Sequence, residues 1–270
     1  ADYYAAVARA MLPHLRGRPL ALERFPDGVE GDGFMQKQLP AHAPGFVHHV
    51  AVGRVGGGEV DMLVCDNAAT LRYLANQAAI TLHHWLSRAS APRRPDRMVI
   101  DLDPAGDDFG PVRAAAAAVR GLLEEIDMPG YVMTTGSRGL HVTVPLAGRD
   151  DVDDVRAFAQ DLAAVLVARD PDALTTSARK ADRGGRLYVD VMRNSYAQHS
   201  VAPYSVRPLP GAPVATPLDW DELDDPKLDA RRFTLRDIAD RLGTTGDPWD
   251  SFRRRGPALS AARRRLDRLG

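Results

Sequence analysis

Two aspartates separated by one residue end an apolar segment of the chain. Asp101 and Asp103 follow the apolar residues 98–100, and Pro104 closes the segment. Because side chains alternate along a strand, both carboxylates project from one face, with their Cα atoms ~6.5–7 Å apart. This spacing suits hard ions such as magnesium or manganese, which can act in pairs in phosphoryl transfer. Haloacid-type phosphatases, calcium loops and surface strand ends share the motif, so it leaves the chemistry open.

A third aspartate lies in a second apolar segment. Asp190 is predicted to lie in the middle of a strand over residues 186–192, with a valine on each side. A buried carboxylate without a partner is costly. Asp190 therefore either pairs with a nearby arginine or shares a metal ion with the first two aspartates. The candidate arginines are Arg183, Arg186 and Arg193.

Two further segments carry groups that suit phosphate. Residues 179–186 hold four cations and a glycine pair, and Lys180 and Arg183 in this cluster could bind a triphosphate, although solvation at the surface is the usual role of such a cluster. Residues 134–141 form a predicted hairpin in which two glycines allow close approach of the backbone to a ligand. Its phosphate donors are Thr135, Ser137, Arg138 and His141, and for His141 a structural hydrogen bond is the alternative.

Composition bounds the class of protein. The chain has 270 residues, 44% of them hydrophobic, which is enough to bury a substantial core. Its formal net charge of -1 gives no support to nucleic-acid binding, so any phosphate-binding surface must be local. Cys65 is the one cysteine and is expected in the core, which excludes an intramolecular disulfide. Without a long apolar run or a signal pattern, the chain is expected to be cytoplasmic and not to bind membranes; its first residue, Ala1, suggests that residues upstream were removed.

Periodicity predicts alternating helices and strands, and hence an α/β protein. The predicted helices cover residues 2–16, 67–79, 109–126 and 150–169, the second capped by Asn67. The predicted strands cover residues 20–25, 59–65, 80–86, 98–104, 131–135, 140–144 and 186–192. Residues 203–217 look irregular, and residues 234–237 resemble a capping box that opens a short helix. The arginine triplets at 253–255 and 263–265 are predicted to form a solvated helix face, with DNA contact as the alternative.

Five of these blocks, in this order, resemble the polymerase domain of bacterial DNA ligase D, which serves nonhomologous end joining and belongs to the archaeo-eukaryotic primase superfamily. The blocks are residues 24–29, 101–104, 134–141, 183–194 and 201–207, and the likeness runs from Asp2 to Trp249. The resemblance implies a single primase-polymerase domain over residues 1–270. Its catalytic palm, an antiparallel or mixed sheet like that of RNA-recognition motifs, would cover about residues 96–245, with an N-terminal α/β lobe at about 1–95 and a basic tail at about 246–270.

The resemblance also implies roles for individual residues. Asp101, Asp103 and Asp190 match the acids that hold two Mn²⁺ or Mg²⁺ ions. The positions that match contacts to the incoming nucleotide are His83, Thr135, Arg138, His141, Arg183 and Arg207; without the family, His83 would be taken as structural. Arg24, Phe34 and Lys37 fall in the segment that meets template DNA in relatives, where an aromatic side chain stacks on a base.

The sequence departs from the family pattern at several positions. Residues 134–139 read Thr-Thr-Gly-Ser-Arg-Gly, where relatives usually have Thr-Ser-Gly-Gly-Lys-Gly. Met35 stands where a second phenylalanine is common, and Leu209 stands where many relatives carry an arginine. The lysines with which relatives grip the downstream 5′-phosphate of a gap would precede Ala1.

The leading functional hypothesis is a template-directed nucleotidyltransferase that fills gaps or extends DNA ends and prefers ribonucleotides. Its expected partners are gapped duplex or DNA ends, NTP or dNTP, the end-binding protein Ku and a DNA ligase, at the bacterial nucleoid. Two other classes stay open. A metal-dependent phosphatase or nuclease would use the same acids to activate water, and an inactive DNA-end-binding module would recruit a ligase.

Overall fold

The computed structural model describes residues 1–253 and 256–269. Within these residues the chain forms six α-helices: α1 Asp2–Leu15, α2 Ala68–Asn76, α3 Gly110–Glu125, α4 Val152–Arg169, α5 Ile238–Thr245 and α6 Leu259–Leu266. The first six strands are β1 Leu20–Arg24, β2 Phe34–Gln36, β3 His48–Gly53, β4 Glu59–Val64, β5 Ala79–Trp85 and β6 Arg97–Asp103. The other six are β7 Tyr131–Thr134, β8 Leu140–Pro145, β9 Leu174–Thr175, β10 Leu187–Asp190, β11 His199–Val201 and β12 Pro217–Leu218.

The larger sheet has six strands in the order β12-β7-β8-β6-β10-β9. It is mixed, because β10 and β9 run parallel while the other neighbours are antiparallel. Helices α3 and α4 cover one face, where Ile100, Leu102 and Val142 pack against Leu122 and Phe158 in the main core. Since side chains alternate, the opposite face of β6 and β8 is left for polar residues.

The second sheet has four strands in the order β11-β5-β1-β2. Helices α1 and α2 pack together and share a separate core cluster with it, in which Val7, Met11 and Leu71 contact Leu20 and Leu82. Strand β11 comes from late in the chain and pairs with β5, so the second half of the chain contributes to this sheet. A two-stranded antiparallel sheet of β3 and β4 completes the fold.

The α/β class predicted from periodicity is confirmed, and most predicted elements form with shifted ends. Helix α1 continues through Pro13 to Leu15. Asn67 caps α2 as predicted, since its side chain accepts from Thr70 N. The helix ends at Asn76 rather than at residue 79, because Ala78 has a φ of 56° that a helix cannot contain.

Two local predictions are wrong. The strand predicted for residues 186–192 ends at Asp190, and residues 192–194 form a 3₁₀ turn, so Asp190 lies at a strand end rather than in its middle. The short helix predicted to open at the capping box of residues 234–237 begins later than predicted, although hydrogen bonds of the capping-box type form there. The Asp237 carboxylate accepts from the backbone N–H and hydroxyl of Thr234, which closes a turn, and α5 begins after it at Ile238.

The basic C-terminal segment is partly described. Arg263 forms an ion pair with Asp161 and lies over the Phe158 ring, and Arg265 pairs with Asp127. These contacts hold α6 against the main body. Of the first arginine triplet, residues 254 and 255 lie outside the described residues, so the prediction for them is not addressed. Cys65 is buried, as predicted. None of the described helices combines the length and apolarity needed to span a bilayer.

Candidate active site

Strand pairing brings the three aspartates to one face of the larger sheet. Strands β6 and β10 are antiparallel, with Asp101 directly opposite Asp190 and Asp103 opposite Tyr188. Residues directly opposite in such a pair have Cα atoms about 4.5–5.5 Å apart and share a face. Asp101 and Asp103 share that face by alternation. Asp190 therefore lies on the same side of the sheet as the other two, beside Asp101.

The side chain of Asn194 fixes the end of β10 against β6. Its Oδ1 accepts from Val99 N at 2.9 Å, while its Nδ2 donates to the carbonyls of Val99 at 2.7 Å and Val191 at 2.8 Å. The side chain thus replaces the backbone pairing that stops after Asp190. Because Asn194 is buried, these bonds are shielded from water and set the position of Asp190 relative to Asp101.

The predicted hairpin forms between β7 and β8 and touches the strand that carries the acids. A Cβ added at Gly139 would lie 2.0 Å from the carbonyl oxygen of Leu102, so only glycine permits this approach. Gly136 has a φ of 66°, and a Cβ there would meet Arg207 Cγ at 2.8 Å. The two glycines therefore pack the turn between β6 and the segment that bears Arg207.

Asp103 is held by arginines. Its Oδ2 accepts from Arg183 Nη1 at 2.9 Å, and its Oδ1 lies 3.7 Å from Arg138 Nη2. The other donors of Arg183 are also used, because Nε and Nη2 donate to the carbonyls of Ser177 and Ala178. Arg183 is therefore positioned to orient Asp103, with its guanidinium 4.2 Å from the centre of the Tyr188 ring.

Asp101 and Asp190 have different partners. Burial alone would raise the pKa of Asp101, but His141, with Arg193 and Arg207 nearby, outweighs burial and holds this pKa below its ordinary value. His141 Nε2 lies 3.4 Å from Asp101 Oδ2. Asp190 Oδ1 accepts from Tyr188 Oη at 3.2 Å and from Met192 N at 2.8 Å.

None of the described arginines forms an ion pair with Asp190, so the expected ion-pair alternative is not seen there. Burial, followed by Asp190, raises the pKa of Tyr188 to about 12, which keeps its hydroxyl a donor. Asp190 thus accepts hydrogen bonds from two uncharged donors through Oδ1, and its second carboxylate oxygen is available to a ligand.

A cavity of about 200 Å³ adjoins Asp101 and Asp103. Its other walls come from the hairpin, from the 3₁₀ turn after β10 and from the second sheet. The lining residues are His83, Asp101, Asp103, Thr135, Ser137, Arg138, Gly139, His141, Arg193, His199, Ser200, Val201 and Arg207. Three arginines and three histidines therefore face two carboxylates, which makes the cavity attractive to a polyanion.

Burial controls the charge of the histidines on the second sheet. Burial, with His199 and Arg207 nearby, lowers the pKa of His83 well below its ordinary value. Burial, with Lys37 and Arg193 nearby, lowers the pKa of His199 to about 4. Both rings are therefore neutral at pH 7 and can each offer one donor and one acceptor. Arg207 lines the cavity and is half-buried, and its buried Nε has no hydrogen-bond partner among the described residues.

Several predicted site residues have other surroundings. The Thr135 hydroxyl accepts from the backbone N–H groups of residues 137–139 and so braces the turn. Lys180 is exposed and does not line the cavity. Arg24 donates to Gln77 and Gln36 and lies 5.6 Å from the centre of the Phe34 ring, which supports β2 at the sheet edge.

The second sheet connects the predicted DNA contacts to the cavity. Phe34 and Met35 are 47% and 44% exposed on edge strand β2, an unusual exposure for large apolar side chains. Lys37 is exposed and close enough to His199 to lower its pKa. Lys37, directly after the edge strand, therefore lies near the cavity.

The sequence interpretation gave no cavity role to Arg193, His199 or Ser200. Arg193 was named only as a possible partner of Asp190, although it follows the apolar strand within a conspicuous block. His199 and Ser200 lie on a three-residue strand without a pattern of its own, and only the pairing of β11 with β5 brings them to the site.

The acids fit a hard divalent ion by donor type. Among the described residues no three histidine, cysteine or acidic side chains are already arranged as a closed metal cage. Asp101 and Asp190 nevertheless offer carboxylate oxygens from directly opposed positions, and Asp103 adds another at the strand end. Oxygen-only donor sets are the ones that magnesium and manganese favour. The donor set therefore fits such ions.

The mixed sheet, its opposed carboxylates and the cationic cavity together define a nucleotidyltransferase of the primase-polymerase class. The family model described as "LigD, primase-polymerase domain" matches residues 1–249, and the chain belongs to this family. The resemblance seen in the sequence is confirmed.

Known proteins agree with this assignment. The polymerase domain of Mycobacterium tuberculosis ligase D, solved in complex with DNA, superimposes with a TM-score of 0.87 and 33% identity, covering 93% of this chain and 90% of that one. The multifunctional nonhomologous end joining protein LigD of Mycolicibacterium smegmatis is 33% identical over 91% of this chain. The LigD of Pseudomonas aeruginosa is 33% identical over 98% of it. The chain spans 32% of the length of each of these two relatives.

Proposed function

We propose that this chain extends the 3′ end of a DNA primer along a template, in gap filling and end extension during nonhomologous end joining. The observation that carries the proposal is the register that sets Asp190 opposite Asp101 beside a cationic cavity. Relatives that match nearly the whole chain are named for this repair pathway. The chain covers only a third of them, so the proposal concerns the polymerase step.

Asp101, Asp103 and Asp190 would hold two Mn²⁺ or Mg²⁺ ions. When bound, such ions polarise the attacking and leaving oxygens and neutralise developing charge. The protein supplies the geometry, since Asn194 fixes the end of β10 and Arg183 orients Asp103. The low pKa of Asp101 keeps its carboxylate ionised and ready to bind a cation.

The cationic cavity would hold the triphosphate of the incoming nucleotide. Arg138, Arg193 and Arg207 converge there, and arginine matches phosphate oxygens with paired donors. The neutral ring of His83 and the ring of His141 would donate hydrogen bonds to sugar or phosphate oxygens. The Ser137 hydroxyl would add a donor at the rim of the cavity. Lys180 and Arg183, which do not line the cavity, would contribute positive charge near Asp103.

The exposed edge of the second sheet would receive template DNA. Phe34 offers a stacking surface at this edge, with Met35 on the other face of the strand, and Lys37 offers charge near the cavity. Arg24 would act indirectly on template binding, because its guanidinium packs against the Phe34 ring and supports it. A preference for ribonucleotides and manganese, and cooperation with Ku and a ligase at the nucleoid, are family tendencies that we extend to this chain.

One assay separates the three functional classes. The protein is incubated with a gapped duplex bearing a 5′-phosphate, labelled nucleotide and manganese, and the primer length is followed. We expect lengthened primer, and a loss of more than ~100-fold in rate for Asp101→Asn, since ligands of the ions cost more than their supporting residues. The matched control, Asp172→Asn, changes an exposed acid that does not line the cavity and leaves the rate unchanged.

Shortened strands would instead indicate a nuclease, and a retarded duplex of unchanged length would indicate a binding module. An active Asp101→Asn variant would show that the acids do not carry the chemistry.

A further inference from the structure

A second, larger cavity lies at the opposite end of the palm strands. Its volume is about 460 Å³, and it adjoins Arg97 at the start of β6 and Pro145 at the end of β8. Asp101 and Asp103 lie four and six residues further along β6, ~13 and ~20 Å along the strand. Pro13 of α1, the loop before β6 and Phe252 supply the remaining walls. The cavity is therefore separate from the proposed nucleotide site.

The described lining of this cavity has an excess of positive charge. Arg88, Arg94, Arg97 and Arg149 line it, against the single carboxylate of Asp96. That carboxylate is already used, because Oδ1 accepts from the fully buried Arg18 at 2.5 Å and Oδ2 from Arg88 at 2.9 Å. The cations of the lining therefore outnumber the carboxylates available to them.

Arg97 is the cation of this lining whose hydrogen-bonding and charge requirements are not fully met. It is 3% exposed, and its Nε has no hydrogen-bond partner among the described residues, with the nearest carboxylate oxygen of Asp96 at 3.8 Å. Its Nη1 lies 3.3 Å from His84 Nε2, and its guanidinium lies 5.0 Å from the centre of the Phe252 ring. Burial lowers the pKa of His84 well below its ordinary value, so this neighbour is neutral.

A deeply buried arginine that shares its one nearby carboxylate, Asp96, with Arg18 and Arg88 is costly to the fold. Burial, followed by the neighbouring Arg18, lowers the pKa of Arg97 well below its ordinary value, which expresses the same cost. A bound anion would remove that cost. Arg94 and Arg149 are exposed at the mouth, and neither forms an ion pair with any described residue, so both are available to the same anion.

We propose that this cavity is a binding site for a phosphate-bearing anion, with Arg97 at its floor and Arg94 and Arg149 at its mouth. Three guanidinium groups around one space suit a multiply charged group with several acceptor oxygens better than a single carboxylate. Gly148, with a φ of 67°, turns the chain beside Arg149 in the cavity lining. The phosphate could come from a free anion such as pyrophosphate or from the backbone of duplex DNA.

The test is a calorimetric titration with pyrophosphate, in EDTA and at fixed ionic strength. The background protein carries Arg138→Gln and Arg207→Gln, which remove two arginines from the nucleotide cavity. We expect one saturable site on this background, and affinity at least about tenfold weaker once Arg94→Gln and Arg149→Gln are added. Arg72→Gln, a matched change of an exposed arginine elsewhere, leaves the affinity unchanged.

No saturable binding to the background, or equal affinity after the Arg94 and Arg149 changes, would overturn the proposal. A blunt duplex with 5′-hydroxyl ends distinguishes the two sources. If the duplex displaces pyrophosphate, the site receives backbone phosphate; if it does not, the site receives a free anion. Because the readout is binding without metal, its failure is distinct from a failure of primer extension.

Discussion

The aspartates of the site differ in how much of their binding capacity the protein already uses. Asp103 is engaged by Arg183 at 2.9 Å, whereas Asp190 accepts two neutral hydrogen bonds through one oxygen. A cation at the site would therefore meet Asp101 and Asp190 first, while Asp103 would be shared between the cation and Arg183. Arg183 is better described as positioning Asp103 than as a free nucleotide contact, because the structure uses all three of its nitrogens.

The exposed phenylalanine at the sheet edge gives a test at the scale of one residue. Phe34→Ala should weaken binding of single-stranded template by about tenfold, because base stacking on an aromatic ring contributes roughly 1–3 kcal/mol. Fluorescence anisotropy with a labelled oligonucleotide measures the change. Phe46→Ala is the control, since Phe46 is also 47% exposed but packs against Tyr73. If both variants lost the same affinity for the template, Phe34 would not be a specific template contact.

At the scale of elements, the junction between β6 and β10 determines the site. Asn194→Ala would leave Val99 N–H and two carbonyls without partners in a buried place, at a cost of about 3 kcal/mol or more. We expect a lower midpoint in urea denaturation. Asn194→Asp keeps the acceptor for Val99 N but loses both donated bonds, so it should also destabilise. Wild-type stability in both variants would contradict this role.

A buried ion pair joins the end of α1 to the loop before β6, and its stability depends on pH. Burial alone would raise the pKa of Asp96, but Arg18 and Arg97 outweigh burial and lower it. A carboxylate whose pKa is lowered by folding stabilises the folded state fully above its unfolded pKa of about 4. This stabilisation is lost as the pH falls through the lower pKa of the folded state.

Asp96→Asn should therefore reduce the free energy of unfolding by roughly 3 kcal/mol at pH 7, because it leaves Arg18 buried without its partner. The difference in unfolding free energy between the variant and the wild type should become smaller as the pH falls below about 4. Urea denaturation over a pH series measures it. Asp172→Asn, which changes an exposed acid, should show no such dependence. A difference that stays constant with pH would mean that charge is not what Asp96 contributes.

The long elements could be predicted from the sequence because their apolar periodicity is strong. Helices α3 and α4 and strands β6 and β8 form close to the predicted ends. Strands β2, β3, β9, β11 and β12 were not predicted. Four of them have two or three residues, too few to show alternation, and β3 is mostly exposed, so burial gives it no apolar pattern. These strands depend on tertiary pairing.

At the scale of the whole molecule, the site is formed between the two sheets. The larger sheet supplies Asp101 and His141, and the second sheet supplies His83 and His199. The sequence pattern indicated which residues carry chemistry, because charged groups interrupt apolar strands. It could not give the pairing of β11 with β5, which joins positions more than 100 residues apart. That pairing brings His199 and Ser200 to the cavity.

If Asp101, Asp103 and Asp190 hold ions at one point, Mn²⁺ binding must depend on these carboxylates. Electron paramagnetic resonance with a non-hydrolysable nucleotide counts bound ions in the wild type and in single Asp→Asn variants. We predict two ions in the wild type, loss of at least one in Asp101→Asn and in Asp190→Asn, and no loss in Asp172→Asn. Two ions bound to Asp190→Asn with wild-type affinity would contradict the account.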